Sequence, residues 1–64
     1  MSVRLNYEAD SDAAYLRFSA RPVVESEEVA AGVVLDYDSD GRIVGMEILS
    51  ARSHLPTDAL HAAE

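Results

Sequence analysis

Sixty-four residues, twelve of them acidic against five arginines and no lysine, give a formal charge of -7 at pH 7. Such a field repels phosphate backbones and anionic lipid, so neither nucleic acid nor a membrane surface is expected as a direct partner. The absence of cysteine excludes disulfides, thiolate metal sites and cysteine nucleophiles.

One domain, residues 1–64, is expected. A chain of this size buries only about 60% of its unfolded surface, so its core is marginal and dimerisation is the available reinforcement. The apolar runs are far shorter than the ~20 residues that cross a bilayer, and the opening MSVRLNYEAD lacks a signal-like apolar stretch, which makes the cytoplasm the expected address.

Residues 3–7 alternate apolar and polar side chains, the period of a half-buried strand. A polar connection, residues 8–12, precedes a second strand over 13–18, with Ala14, Leu16 and Phe18 on one face and Tyr15 and Arg17 on the other. Pro22 breaks the pattern because it has no amide hydrogen for a ladder. Residues 23–29 are ambiguous: the valines favour a strand, whereas Ser26 followed by Glu27 and Glu28 would also open a helix; strand is the preferred reading. Residues 32–37 and 42–49, rich in β-branched side chains, read as two paired strands joined by Asp38-Ser39-Asp40-Gly41. Residues 50–55 suggest a helical turn, and Thr57, after Pro56, is expected to cap a short helix through Ala63. The expected fold is mainly β (β-rich α+β), a small antiparallel meander of four to five strands with a short C-terminal helical tail.

The linking stretch has a second reading. LDYDSDGRIVGME satisfies the calcium-loop pattern D-x-[DN]-x-[DN]-G-x5-E, with Asp36, Asp38, Asp40 and Glu47 as the ligands. That chemistry needs helices entering and leaving the loop, and the flanking valines and isoleucines suit strands. The hairpin reading explains the same letters: Asp38 begins a type I turn and Gly41 takes the left-handed position of a bulge. Glu47, several residues down a strand at roughly 3.3 Å each, then lies too far from the turn tip to join Asp38 and Asp40 around one ion.

Three weaker groupings have plain alternatives. Glu8, Asp10 and Asp12 would form an acid–base or metal pair with Asp36 or Asp38 if the hairpins stacked, but read more simply as a solvated loop. His54 and His61 flank Pro56 without a third ligand and read as surface residues. Tyr7, Tyr15 and Tyr37 read as residues at the edge of the core rather than a pocket lining.

The segments YEADSDAAYLRF (residues 7–18) and VVLDYDSDGRIVGMEIL (residues 33–49), with VESEEV between them, resemble the small bacterial domain-of-unknown-function family numbered 2283 over about residues 5 to 50. Residues 50–64, the tail, lie outside the resemblance. It implies a compact β-rich intracellular domain with no activity or cofactor to carry over. Because some relatives are encoded beside small RNase-like toxins, it also implies an antitoxin-like binding role.

The functional expectation is therefore a non-enzymatic interaction module, a homodimer that pairs through an exposed edge strand or through Val34, Val44, Met46 and Ile48, and an acidic partner for a basic protein. No cofactor, nucleic acid or membrane is expected. The competing expectation is a divalent-metal-binding or hydrolytic protein built on the acidic loops.

Overall fold

The computed structural model describes residues 3–61. Five antiparallel strands form one sheet: β1 (Arg4–Glu8), β2 (Ala13–Arg17), β3 (Glu25–Ala30), β4 (Val33–Tyr37) and β5 (Ile43–Leu49), followed by helices α1 (Ala51–His54) and α2 (Thr57–His61). The ambiguous segment is a strand, β3. The expected extension of the last helix through Ala63 lies outside the described residues.

The spatial order is β1-β2-β5-β4-β3. β3, β4 and β5 form a meander and β1–β2 a hairpin, but the neighbour of β2 is β5, not β3. The chain crosses between them in residues 18–24, the stretch interrupted by Pro22. That crossing is held by backbone and side-chain bonds. The Phe18 and Ser19 amides both donate to the Val44 carbonyl, at 2.9 and 3.3 Å, and the Val24 amide donates to the Tyr37 carbonyl at 2.8 Å. The Arg17 guanidinium donates to the carbonyls of Ser19 and Arg21 and, at 2.9 Å, to the Tyr15 hydroxyl.

Strand alternation sorts the side chains into two faces. Leu5–Leu16–Met46–Leu35 and Tyr7–Ala14–Ile48–Val33 are continuous cross-strand rows on one face. Ala51, Leu55 and Leu60 of the C-terminal segment pack against that face, so the core is Ala14, Ile48, Ala51 and Leu60 with Leu5, Tyr7, Leu16, Met46 and Leu55 around it. Two helices this short do not hold by themselves. The first is anchored from the β1–β2 turn: Asp12, at φ 53, accepts the Ala51 amide on its carbonyl at 2.8 Å and the Arg52 amide on Oδ1 at 3.2 Å. The same Oδ1 receives the Tyr7 hydroxyl at 2.8 Å. Asp12 thus supplies the cap that Ser50, with no side-chain cap bond, does not.

The dimer candidates Val34, Val44, Met46 and Ile48 do not share a face. Val44 and Ile48 are only 1% and 4% exposed within the single chain, and Met46 packs against the core, so these three side chains already serve the chain's own interior. Val34 lies across from Glu47 and Glu28 on the opposite face. Among the described residues no helix is long and apolar enough to cross a membrane.

Candidate functional site

The second face of the sheet is the more polar one. Asn6, Glu8, Ala13, Tyr15, Ser26, Asp36, Glu47 and Leu49 line a cleft of about 650 Å³ on it, together with Val23 of the crossing segment. On the same face lies Gly45, where a Cβ would come within 2.6 Å of the Tyr15 hydroxyl and 3.1 Å of the Leu16 carbonyl. The missing side chain is what lets the Tyr15 ring lie flat over the central strand.

Asp36 and Glu47 meet in this cleft. In the β4–β5 register Asp36 faces Gly45 and Val34 faces Glu47, which sets the two carboxyls one diagonal apart on the same face. Asp36 is 2% exposed and accepts the Ser26 hydroxyl on Oδ1 at 2.7 Å. The Glu47 carboxyl is pushed above its ordinary 4.5 by burial first, then by the Asp36 charge and the hydrogen bond between the two groups.

This shift has a consequence for stability. Because the folded value exceeds the unfolded one, the stabilisation is complete below about pH 4.5 and is lost as pH rises through the folded value. Glu47→Gln keeps a donor toward Asp36 without a titrating proton. Its Tm at pH 7 is expected to exceed that of the wild type by about 3–5 °C, with the gap closing near pH 4; melts from pH 4 to 8 check it, and equal melting at both ends would sink it.

The remaining calcium-pattern residues lie elsewhere. Asp38 is 3% exposed in the β4–β5 turn. Its Oδ1 accepts the amides of Asp40 at 2.9 Å and Arg42 at 3.0 Å, and Arg21 Nε sits 3.1 Å from its Oδ2 without the alignment of a hydrogen bond. The Arg42 amide foremost, helped by the Asp40 amide and the two arginine charges, holds Asp38 below the usual carboxylate range despite its burial. The Gly41 amide closes the turn on the Asp38 carbonyl at 3.1 Å, and Gly41 has φ +76. Asp40 is exposed and carries Arg21 at 3.4 Å. The pattern therefore divides into a turn (Asp38, Asp40, Gly41) and a sheet-face pair (Asp36, Glu47). Among the described residues no three His, Asp or Glu side chains are grouped to hold a metal ion, and two carboxylates fall well short of the six to eight oxygens calcium takes.

The weaker groupings also resolve. Glu8 and Asp10 are exposed, while Asp12 serves the C-terminal anchor described above and meets neither Asp36 nor Asp38. The His54 ring lies between the Ser50 and Ala31 carbonyls, at 3.2 and 3.1 Å, tying α1 to the β3–β4 turn. His61 borders a smaller cleft with Tyr7, Arg52, Leu55, Thr57 and Leu60. The three tyrosines separate: Tyr7 belongs to the Asp12 anchor, Tyr15 covers Gly45, and Tyr37 donates to Glu27 at 3.1 Å. Burial foremost, with Glu27, raises the Tyr37 hydroxyl above its ordinary value.

A single five-stranded sheet, covered on one face by a short helical tail and bearing a polar cleft on the other, defines a small β-rich domain class. Within it the chain matches the family described as Protein of unknown function (DUF2283) over residues 4–52, and it belongs to that family. No curated protein and no solved structure matches it.

Proposed function

We propose that this chain is a non-enzymatic interaction module that acts as a homodimer and presents an acidic surface to a basic protein, in the manner of an antitoxin covering its target. The observation that carries this reading is β3. It is an edge strand exposed at all six positions, with Glu25, Glu27 and Glu28 among them. An edge strand offers unpaired backbone groups to an incoming strand, and glutamates bias that strand toward lysine and arginine. Arginines that would offset this charge are engaged elsewhere: Arg21 with Asp38 and Asp40, Arg52 with Tyr7 and Asp12. A cytoplasmic setting is part of the same reading, supported by a chain without cysteine.

Affinity capture from the native host at low and high salt tests it, with the wild type and an E25Q/E27Q/E28Q variant side by side. The wild type is expected to retain a basic protein at low salt and release it at high salt, and the variant to retain none. Recovery of nothing by the wild type at either salt would overturn the reading.

A further inference from the structure

The sheet has two edges, and they are chemically opposite. β3 carries three glutamates in six residues and a register shift between Glu28 and Ala30. Pairing β3 over its full length with a second copy would set Glu27 of each chain against the partner's Glu28, and the bulge would break the ladder. Both are features that keep an edge from pairing with itself.

β1, the other edge, reads Arg4-Leu5-Asn6-Tyr7-Glu8. Laid antiparallel against its own copy about Asn6, it is complementary at every position. Arg4 meets the partner's Glu8, Leu5 meets the partner's Tyr7, and Asn6 meets the partner's Asn6. One step further out, Val3, 60% exposed in the single chain, meets the partner's Ala9.

We infer that two copies join through β1, edge to edge about a twofold axis at Asn6, and so merge their sheets into one. The inference rests on the homodimer part of the proposed function and specifies its interface.

Both faces of the sheet support it. On the core face, Leu5 and Tyr7 are each half-buried at the end of an apolar row, Leu5 beside Leu16 and Tyr7 beside Ala14. Pairing at Asn6 continues each row into the partner, Leu16–Leu5 running on to the partner's Tyr7 and Ala14, so the marginal core of one chain is extended by the core of the other. On the opposite face the same register sets Glu8, which faces Ala13 across its own ladder, directly across from the partner's Arg4, a pair of opposite charges. The symmetry is that of an isologous contact, in which each favourable pair occurs twice.

The absence of cysteine makes the test direct. Opposed Cα atoms at a twofold antiparallel axis lie about 4.5–5.5 Å apart, within disulfide range. Under mild oxidation at roughly 100 μM, Asn6→Cys is expected to become mostly covalent dimer, whereas Glu27→Cys on the other edge stays monomeric. Light scattering on Arg4→Glu and on Glu8→Arg should show dissociation constants weakened about tenfold or more, and the double swap R4E/E8R should restore most of the affinity. Asn6→Cys keeps Arg4 and Glu8 native, so the cross-linking result does not depend on how either charge variant folds. If the wild type is a dimer but Asn6→Cys does not cross-link and the charge swaps change nothing, the interface lies elsewhere and this inference alone fails. A wild type that is monomeric at the same concentration overturns the homodimer reading as well.

Discussion

Ile48→Ala is expected to cost about 3 kcal/mol and to leave the domain largely unfolded at 37 °C. Ile48 is 4% exposed near the C-terminal end of the central strand, flanked by Ala14 on β2 and Val33 on β4 and clustered with Ala51 and Leu60. No neighbour collapses easily into the space it would vacate: Ala14 and Ala51 are too small to reach, and the positions on either side are fixed by ladder pairing. A 64-residue domain has roughly 3–10 kcal/mol in total, so one such loss is most of its margin. Ile43 provides the internal comparison, since it has the same side chain on the same strand but is 48% exposed. Ile43→Ala should stay within about 0.5–1 kcal/mol of the wild type. Urea titrations of both variants decide the matter; comparable losses at the two positions would mean that the core is not where Ile48 lies.

That contrast shows how far alternation carries a reading. In β1 and β2 the period of two identified which side chains point together, β-branched content marked the central strand, and Gly41 with Asp38 marked the hairpin turn, because these signals are local. The partner of β2 was not local information. A meander order pairs each strand with its successor, but here the glutamate-rich β3 is exposed at every position and suits an edge, whereas Val44 and Ile48 need neighbours on both sides. Burial of the more apolar strand decided the order, and burial is a property of the whole chain. The residues expected to form an apolar dimer face show the same limit. Met46 and Ile48 belong to the cluster that the C-terminal tail covers with Ala51, Leu55 and Leu60, and Val44 is 1% exposed within the single chain.

The acidic residues show a similar limit. Asp12 looked like loop chemistry from its neighbours, yet its contact with the Arg52 amide spans 40 positions of sequence. The calcium-like spacing of Asp36 and Glu47 has a different origin from the one it imitates. In a β4–β5 hairpin turning at residues 38–41, positions 36 and 47 fall on one face, a single diagonal apart. The distance that separates Glu47 from the turn tip is the same one that brings it to Asp36. A hairpin register drawn around Gly41 would have revealed the pair; a regular expression does not, because it has no faces.

Asp38→Ala is expected to lower Tm by about 10 °C, although it removes no apolar contact. Asp38 Oδ1 satisfies two backbone amides, Asp40 at 2.9 Å and Arg42 at 3.0 Å, and alanine leaves both without their acceptor in a turn whose geometry gives them no other. The loss extends beyond the turn. Arg21 reaches Asp38 at 3.1 Å from the crossing segment, and that segment carries the chain from β2 to β3, so loosening it weakens the connection between the two halves of the sheet. Hydrogen exchange at Phe18 and Val24, whose amides bond Val44 and Tyr37, should accelerate in the variant. Asp38→Asn keeps an acceptor on the turn amides but not the charge facing Arg21, so a smaller loss is expected. The pH dependence separates the two contributions. Because the folded Asp38 titrates below its ordinary 3.8, its ionic contribution is present above that value and disappears as pH falls through the folded one. Wild type and Asp38→Asn should therefore converge in Tm as the pH is lowered beyond 3.8, while Asp38→Ala remains lower throughout. An Asp38→Ala protein that melts within 2 °C of the wild type at pH 7 would mean that the turn holds by its backbone alone, through Gly41 and the Asp38 carbonyl.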